Sequence, residues 1–166
     1  MLAATPDSAL LAATLAAFDR CYAVNLFRES RLYPGVADTL QSLRAAGIVV
    51  GCVTNKRERF ARALLATAGI EGEFDFVYGG DTFSRKKPDP LPLLEAARVF
   101  AIDPVAAVMV GDSVNDRDAA RRAGFAFVLA AYGYVRADDA DSDSAFAVIE
   151  RFSELGELLC GQRPDK

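Results

Sequence analysis

The sequence predicts an α/β fold built on a doubly wound parallel sheet, and two observations carry that prediction. Short apolar runs rich in β-branched residues alternate along the chain with stripes of apolar residues at helical spacing. The connections between successive apolar runs are also too long for hairpins. Right-handed crossovers, with helices on both sides of the sheet, are the arrangement that this alternation favours.

Thr5-Pro6-Asp7-Ser8 reads as a helix start, with Thr5 as cap and Pro6 in the first helical position. Leu11, Leu15, Phe18 and Tyr22 follow at helical spacing, so this helix is expected to run to about Val24. After Tyr33-Pro34-Gly35, the positions Val36, Leu40 and Leu43 mark one face of a second helix, and Gly47 stands where a left-handed cap is expected. Ile48 to Val53 is an apolar run expected to form a strand buried on both faces.

Phe60, Leu64, Leu65 and Ala68 form the next stripe, closed by Gly69. Phe74 to Tyr78 is a candidate strand before Gly79-Gly80-Asp81, and Asp89-Pro90 opens a helix carrying Leu93, Leu94, Ala97 and Phe100. A third strand is expected over Ala106–Val110, a helix over Asn115–Ala123 stopped by Gly124, and a fourth strand over Phe125–Leu129. Phe146–Ile149 reads as a short fifth strand.

Composition narrows the chemistry. At 166 residues, 52% of them hydrophobic, the chain suits one globular domain with a sizeable core. A net charge of −4 argues against general nucleic-acid or anionic-membrane binding, and a small anionic substrate would need a local basic patch. The absence of histidine excludes every imidazole-based activation or metal site and leaves carboxylates, lysines and hydroxyls. Cys21, Cys52 and Cys160 form neither a CxxC pair nor a disulfide framework, and no run is long and apolar enough to span a bilayer. A cytoplasmic protein is the expectation, and no cysteine is assigned a catalytic role.

In a sheet of this kind, ligands bind beyond the carboxyl ends of the strands. Thr54, Asp81 and Asp112 all fall there. Helices starting just after Asn55 and Ser113 are expected to aim their N-terminal N–H groups at the same crevice, which favours a phosphate. Asp112 is the strongest single signal, because a carboxylate directly after a buried strand and a glycine is costly without a cation or donors. Thr54 and Asn55 by themselves also read as caps of the following helix, and Asp116 as an ordinary first-turn acid.

The ordered set Thr54-Asn55, Lys87-Pro88 and Gly111-Asp112-Ser113-Val114-Asn115-Asp116 resembles the second, third and fourth motifs of the haloacid-dehalogenase-like phosphatases, with the phosphoglycolate phosphatases most similar. Leu32-Tyr33-Pro34-Gly35-Val36, Gly79-Gly80-Asp81, Lys86-Lys87-Pro88-Asp89-Pro90 and Tyr132-Gly133-Tyr134 add to the match, which covers Leu32 to the end. The resemblance implies a Mg²⁺-dependent hydrolase of small phosphorylated metabolites. Thr54 would donate its hydroxyl to a phosphoryl oxygen, Asn55 would orient the substrate, and Lys87 would neutralise phosphoryl charge. Asp112 would bind Mg²⁺ and Asp116 would support the water shell of the metal.

The family's first motif, Asp-x-Asp-Gly-Thr, has no counterpart in this sequence. Its first aspartate is the family's nucleophile and its second the general acid and base. The resemblance therefore implies a truncated member, with residues 1–31 a remnant of a helical cap and 32–166 a Rossmannoid core lacking its first strand. In the family that strand lies between those corresponding to Ile48–Val53 and Ala106–Val110, so both would lose a neighbour, and self-association through the exposed sheet centre follows as an expectation. Activity of this chain alone is expected to be impaired or nil. The alternative is a non-catalytic domain that binds phosphate or a partner.

Two other patterns carry less weight. Asp139, Asp141, Asp143 and Glu150 match four positions of a calcium-binding EF-hand loop, but Ser144 replaces the required glycine. A phospho-receiver domain also uses an aspartate, a hydroxyl residue and Lys-Pro, but with the aspartate first, whereas here Thr54 and Lys87 precede Asp112.

Overall fold

The computed structural model describes residues 8–26, 28–133 and 145–161. The chain divides into two compact units, 1–31 and 32–166. The first is helix α1, Ser8–Asn25. Its apolar stripe is solvent-facing, with Leu10 66% and Phe18 59% exposed, and the rings of Phe18 and Tyr22 stack at 5.5 Å. The expected start at Thr5, Pro6 and Asp7 lies outside the described residues.

The second unit runs α2 (Val36–Ala45), β1 (Gly51–Val53), α3 (Glu58–Thr67), β2 (Phe76–Tyr78), α4 (Leu91–Val99), β3 (Val108–Gly111), α5 (Val114–Ala123), β4 (Ala126–Ala130), β5 (Ala147–Ile149) and α6 (Glu154–Cys160). Every strand pairing is parallel, as the alternation predicts. The helix stops are where the glycines put them: Gly47, Gly69 and Gly124 all adopt positive φ within two residues of the ends of α2, α3 and α5. Helix α6 and the 3₁₀ turn at Glu71–Glu73 are not anticipated from the sequence, nor is the 3₁₀ turn at Pro104–Ala106, although Asp103-Pro104 is a visible start signal and the Asp103 side chain accepts from the Val105 N–H.

The expected single sheet is instead two sheets, β1-β2 and β3-β4-β5. The run Ile48–Val53 is also not buried on both faces, since Val49 is 38% exposed and Gly51 is exposed. The reason is an unpaired edge on each strand: among the described residues β1 pairs only with β2, and β3 only with β4. Interior strand β4 shows what two neighbours achieve, with Val128 at 0% and Leu129 at 1% exposure, each such burial contributing about 1.5–3 kcal/mol. Strand β3, equally apolar, is only half-buried along its whole length.

Helices cover both sides of the two sheets. On one side Leu43 of α2 and Leu155 of α6 meet Val128 and Ile149, with Val50, Val108 and Val110 packed against them. On the other, Leu93 of α4 and Ala119 and Ala123 of α5 meet Val53 and Met109. Residues at or just before β1, and residues of β3, thus share both clusters although the strands do not pair.

Within a strand, the N–H and C=O of one residue point to the same edge. The Thr54 N–H donates to the Tyr78 carbonyl at 2.9 Å and the Val50 carbonyl accepts from Asp75 at 2.8 Å, so Val50, Cys52 and Thr54 face β2. Gly51 and Val53 therefore face the open edge. By the same alternation, the Ala107 carbonyl accepts from Ala126 at 3.0 Å, which leaves Val108 and Val110 facing the open edge of β3.

Candidate active site

The candidate site lies beyond the carboxyl ends of β1 and β3. A buried lysine organises it. The Lys87 ammonium donates to the Val53 carbonyl, the last open-edge acceptor of β1, and lies 2.6 Å from Asp116 Oδ1 in the first turn of α5. Both side chains are more than nine-tenths buried, at 8% and 9% exposure. An ammonium has three N–H donors, and these two partners leave one of them for a ligand.

Asp116 is held as firmly as the lysine. Its Oδ2 accepts from the Ser113 hydroxyl at 2.6 Å and from the Ser113 N–H at 3.2 Å, while the Asp116 N–H donates to Ser113 Oγ at 3.3 Å. This reciprocal pattern is a capping box, and it fixes where α5 begins. Gly111 makes room for it, because a Cβ there would lie 2.5 Å from the Asp116 side chain. Asp116 is therefore both the first-turn acid that its position suggests and the counter-ion of Lys87.

The loop after β1 joins the same cluster. The Asn55 side chain donates to the Lys87 carbonyl at 2.8 Å, and its Oδ1 is buried with no hydrogen-bond partner among the described residues. Thr54 Oγ1 accepts from the Lys56 N–H at 3.2 Å, and a hydroxyl that accepts still has its own proton to give. Burial lowers the pKa of the Lys56 ammonium on this loop.

Neither Thr54 nor Asn55 caps the helix that follows, which corrects that expectation. Helix α3 starts three residues later than Asn55, and its first N–H, at Glu58, is taken by Asp81 Oδ1 at 2.7 Å. Asp81 is thus a capping group for α3, and that N–H is not aimed at the crevice. Gly79 and Gly80 permit the approach: a Cβ on Gly79 would lie 2.1 Å from the Glu58 nitrogen, and one on Gly80 2.3 Å from the Asn55 carbonyl oxygen.

Asp112 sits at the end of β3, half-buried, against the loop that leaves β4. A Cβ on Gly133 would come within 2.3 Å of its Oδ2, so the glycine leaves a cradle that a side chain would fill. The Asp112 charge also helps to raise the pKa of the Tyr132 hydroxyl, after burial and Tyr33. The rings of Tyr33 and Tyr132 meet edge to face at 4.8 Å.

The structure therefore brings Asn55, Lys87 and Asp116 into one bonded cluster, with Thr54 adjoining it through the backbone. Asp112 belongs to a neighbouring cradle with Gly133. Among the described residues no three acidic or cysteine side chains gather as a metal cage. The residues present fit a hard cation bound by one protein carboxylate, Asp112, with phosphate and water completing its shell. Ser113 and Gly133 escaped the sequence reading as site residues, although Ser-x-x-Asp spacing before an alanine-rich helix is a visible capping signal. Of the EF-hand pattern, Asp139, Asp141 and Asp143 lie outside the described residues, as does Tyr134.

Comparison with known proteins gives a consistent picture. Residues 2–124 match the family model for haloacid dehalogenase-like hydrolases. Over 154 residues the chain is 41% identical to the phosphoglycolate phosphatase of Nitrosospira multiformis, a match covering 93% of this chain and 68% of that protein. It superposes with a TM-score of 0.79 and 33% identity on the crystal structure of a predicted phosphoglycolate phosphatase from Haemophilus somnus, covering 85% of this chain and 63% of the other. CbbY from Rhodobacter sphaeroides, solved in complex with phosphate, aligns with a TM-score of 0.77 and 27% identity over 94% of this chain and 70% of its own. The chain thus spans about two thirds of the length of the proteins it matches.

Proposed function

The chain belongs to the haloacid dehalogenase-like hydrolases, and from that membership we propose that it carries the phosphate-binding and metal-facing half of a phosphomonoesterase of the phosphoglycolate phosphatase type. The observation that supports this most is the buried cluster of Lys87, Asp116 and Asn55 beside Thr54, built where a parallel sheet binds anions.

In this reading a phosphoryl group of a small metabolite sits beyond the ends of β1 and β3. Thr54 donates its hydroxyl to one phosphoryl oxygen, and Asn55 orients the ester. The remaining N–H of Lys87 meets a second oxygen and offsets charge that builds as the phosphoryl group transfers. Asp116 acts through Lys87, holding the ammonium in place and keeping its charge compensated in a dry setting. Asp112 would hold Mg²⁺ and Asp116 would support its water shell, and the ion would supply further neutralisation of the phosphoryl oxygens.

Residues 1–166 contain no Asp-x-Asp-Gly-Thr segment to provide an attacking carboxylate and a proton shuttle. These residues alone are therefore expected to release phosphate slowly or not at all. Residues 1–31 are read as the closing helix of a substrate-covering cap, and 32–166 as the core. The reducing interior of a cell suits the three unpaired cysteines, and among the described residues no helix is long and apolar enough to cross a membrane.

The test is a phosphate-release assay on phosphoglycolate and other small esters with Mg²⁺, run on this chain and on a version with an Asp-x-Asp-Gly-Thr strand added. Activity that appears only in the second supports the proposal. Failure of both, with phosphate still bound at Lys87, favours the alternative of a non-catalytic binding domain.

A further inference from the structure

We propose that Arg122, in the last turn of α5, is a positioning residue for Lys87: by holding the Pro88 carbonyl it fixes the loop from which the buried ammonium projects. The inference rests on the reading of Lys87 as the cation that meets the phosphoryl group, and it adds a residue that keeps that cation in place.

Lys87 stands in a loop before α4, and a loop side chain is placed only as well as its backbone is held. Three successive carbonyls of this loop are taken. That of Lys86 accepts from the Asp89 N–H at 3.0 Å, which closes a local turn. That of Lys87 accepts from the Asn55 side chain at 2.8 Å, and that of Pro88 from Arg122 Nη1 at 3.2 Å. Proline has no N–H, so this carbonyl is the one polar backbone group through which Pro88 can be held.

Helix α5 therefore grips Lys87-Pro88 at two points. Asp116 in its first turn takes the ammonium at 2.6 Å, and Arg122 in its last turn takes the backbone one residue further on. The two grips are six residues, or about 9 Å, apart along the helix axis. Ala119, Ala120 and Ala123 are buried, so both grips belong to an element seated in the core. A last-turn arginine also complements the helix dipole, but Arg121 does that equally well. Arg121 lies 3.7 Å from Asp118 of its own helix, whereas Arg122 reaches across to the loop. The guanidinium charge strengthens its bond to a carbonyl, and exposure to water keeps the net effect modest.

The test reads Lys87 directly, by nuclear magnetic resonance of the full 166-residue chain labelled with ¹⁵N-lysine. The chain has four lysines, Lys56, Lys86, Lys87 and Lys166, and the buried, ion-paired ammonium is the one expected to exchange its protons slowly with water. Its signal is assigned by its persistence when Lys56, Lys86 and Lys166 are each changed to arginine. In Arg122→Ala the Lys87 ammonium should exchange roughly fivefold faster, the factor that one hydrogen bond is worth, with the urea midpoint nearly unchanged. The Asp89 amide, which reports opening of the same turn, should quicken by a similar factor. Arg122→Lys keeps a donor on a long side chain and should restore most of the protection, while Arg121→Ala should leave Lys87 as it is. Unchanged exchange in Arg122→Ala overturns the proposal. So does an equal effect of Arg121→Ala, or exchange that quickens only in step with lost global stability, which would make the arginine's role merely structural. Titration of inorganic phosphate into the unaltered chain tests the underlying reading separately: a Lys87 signal that phosphate does not move counts against that reading alone, since the exchange rates still decide the role of Arg122.

Discussion

Lys87 and Asp116 are 29 residues apart in sequence and 2.6 Å apart in space, and their contact ties the loop before α4 to the first turn of α5. Because Lys87 also bonds Val53, the pair spans the place where the two sheets part. Neither partner is tolerable alone in so dry a position.

Lys87→Met is expected to destabilise the chain by about 3–5 kcal/mol, since it strands a buried carboxylate. Denaturant unfolding gives the value. A double-mutant cycle with Asp116→Asn should show a coupling above about 1 kcal/mol, as residues in one bonded network do. Additive effects would mean that the pair does not act as a unit.

Ser113→Ala removes the hydroxyl that both caps α5 and donates to Asp116. A loss of about 1 kcal/mol is expected from the cap, with Ser113→Thr recovering most of it. Thermal unfolding of the three proteins by circular dichroism checks this.

Gly133→Ala carries no positive-φ penalty, but its Cβ would lie 2.3 Å from both the Cβ and the Oδ2 of Asp112, so the loop and the carboxylate must shift apart. Titration calorimetry with Mg²⁺ is expected to show affinity weakened by roughly tenfold, the scale on which groups around a metal ligand act. Unchanged affinity would remove Asp112 from the proposed metal position.

Glu58 has its pKa lowered chiefly by the Thr82 hydroxyl, which donates to it at 2.6 Å, and then by Arg62. A depressed carboxylate contributes stability that is complete above its unfolded pKa and is lost as pH falls through the folded one. Thr82→Val should therefore lower stability at neutral pH and flatten the decline in acid. Urea midpoints followed from neutral pH into the acid range test both parts.

Burial raises the pKa of the Cys52 thiol above its ordinary value, while Cys21 is exposed on α1. At neutral pH, iodoacetamide should modify Cys21 quickly and Cys52 only after denaturation. Mass spectrometry of peptides sampled over time distinguishes the two.

Much of this was legible in the chain itself. Helix ends at Gly47, Gly69 and Gly124 follow from the ease with which glycine takes a left-handed backbone, a local property that needs no neighbours. Strand positions were legible to within about three residues, because runs such as Ala126–Ala130 are apolar throughout. The burial of Ile48–Val53 was misjudged for the opposite reason: composition gives a strand's preference, and only its neighbours decide whether that preference is met.

Sequence by itself determined which chemistry is available: a chain without histidine, with a hydroxyl, a lysine and carboxylates at the ends of apolar runs, in an order shared with one hydrolase family. Tertiary structure decided which of those groups meet. It paired Lys87 with Asp116, set Asp81 on α3 in place of the crevice, put Asp112 in a cradle with Gly133, and left β1 and β3 with open edges. The physical reason is that residue type fixes what a side chain can donate, accept or hold, whereas distance, burial and the partners left over are properties of the packed chain as a whole.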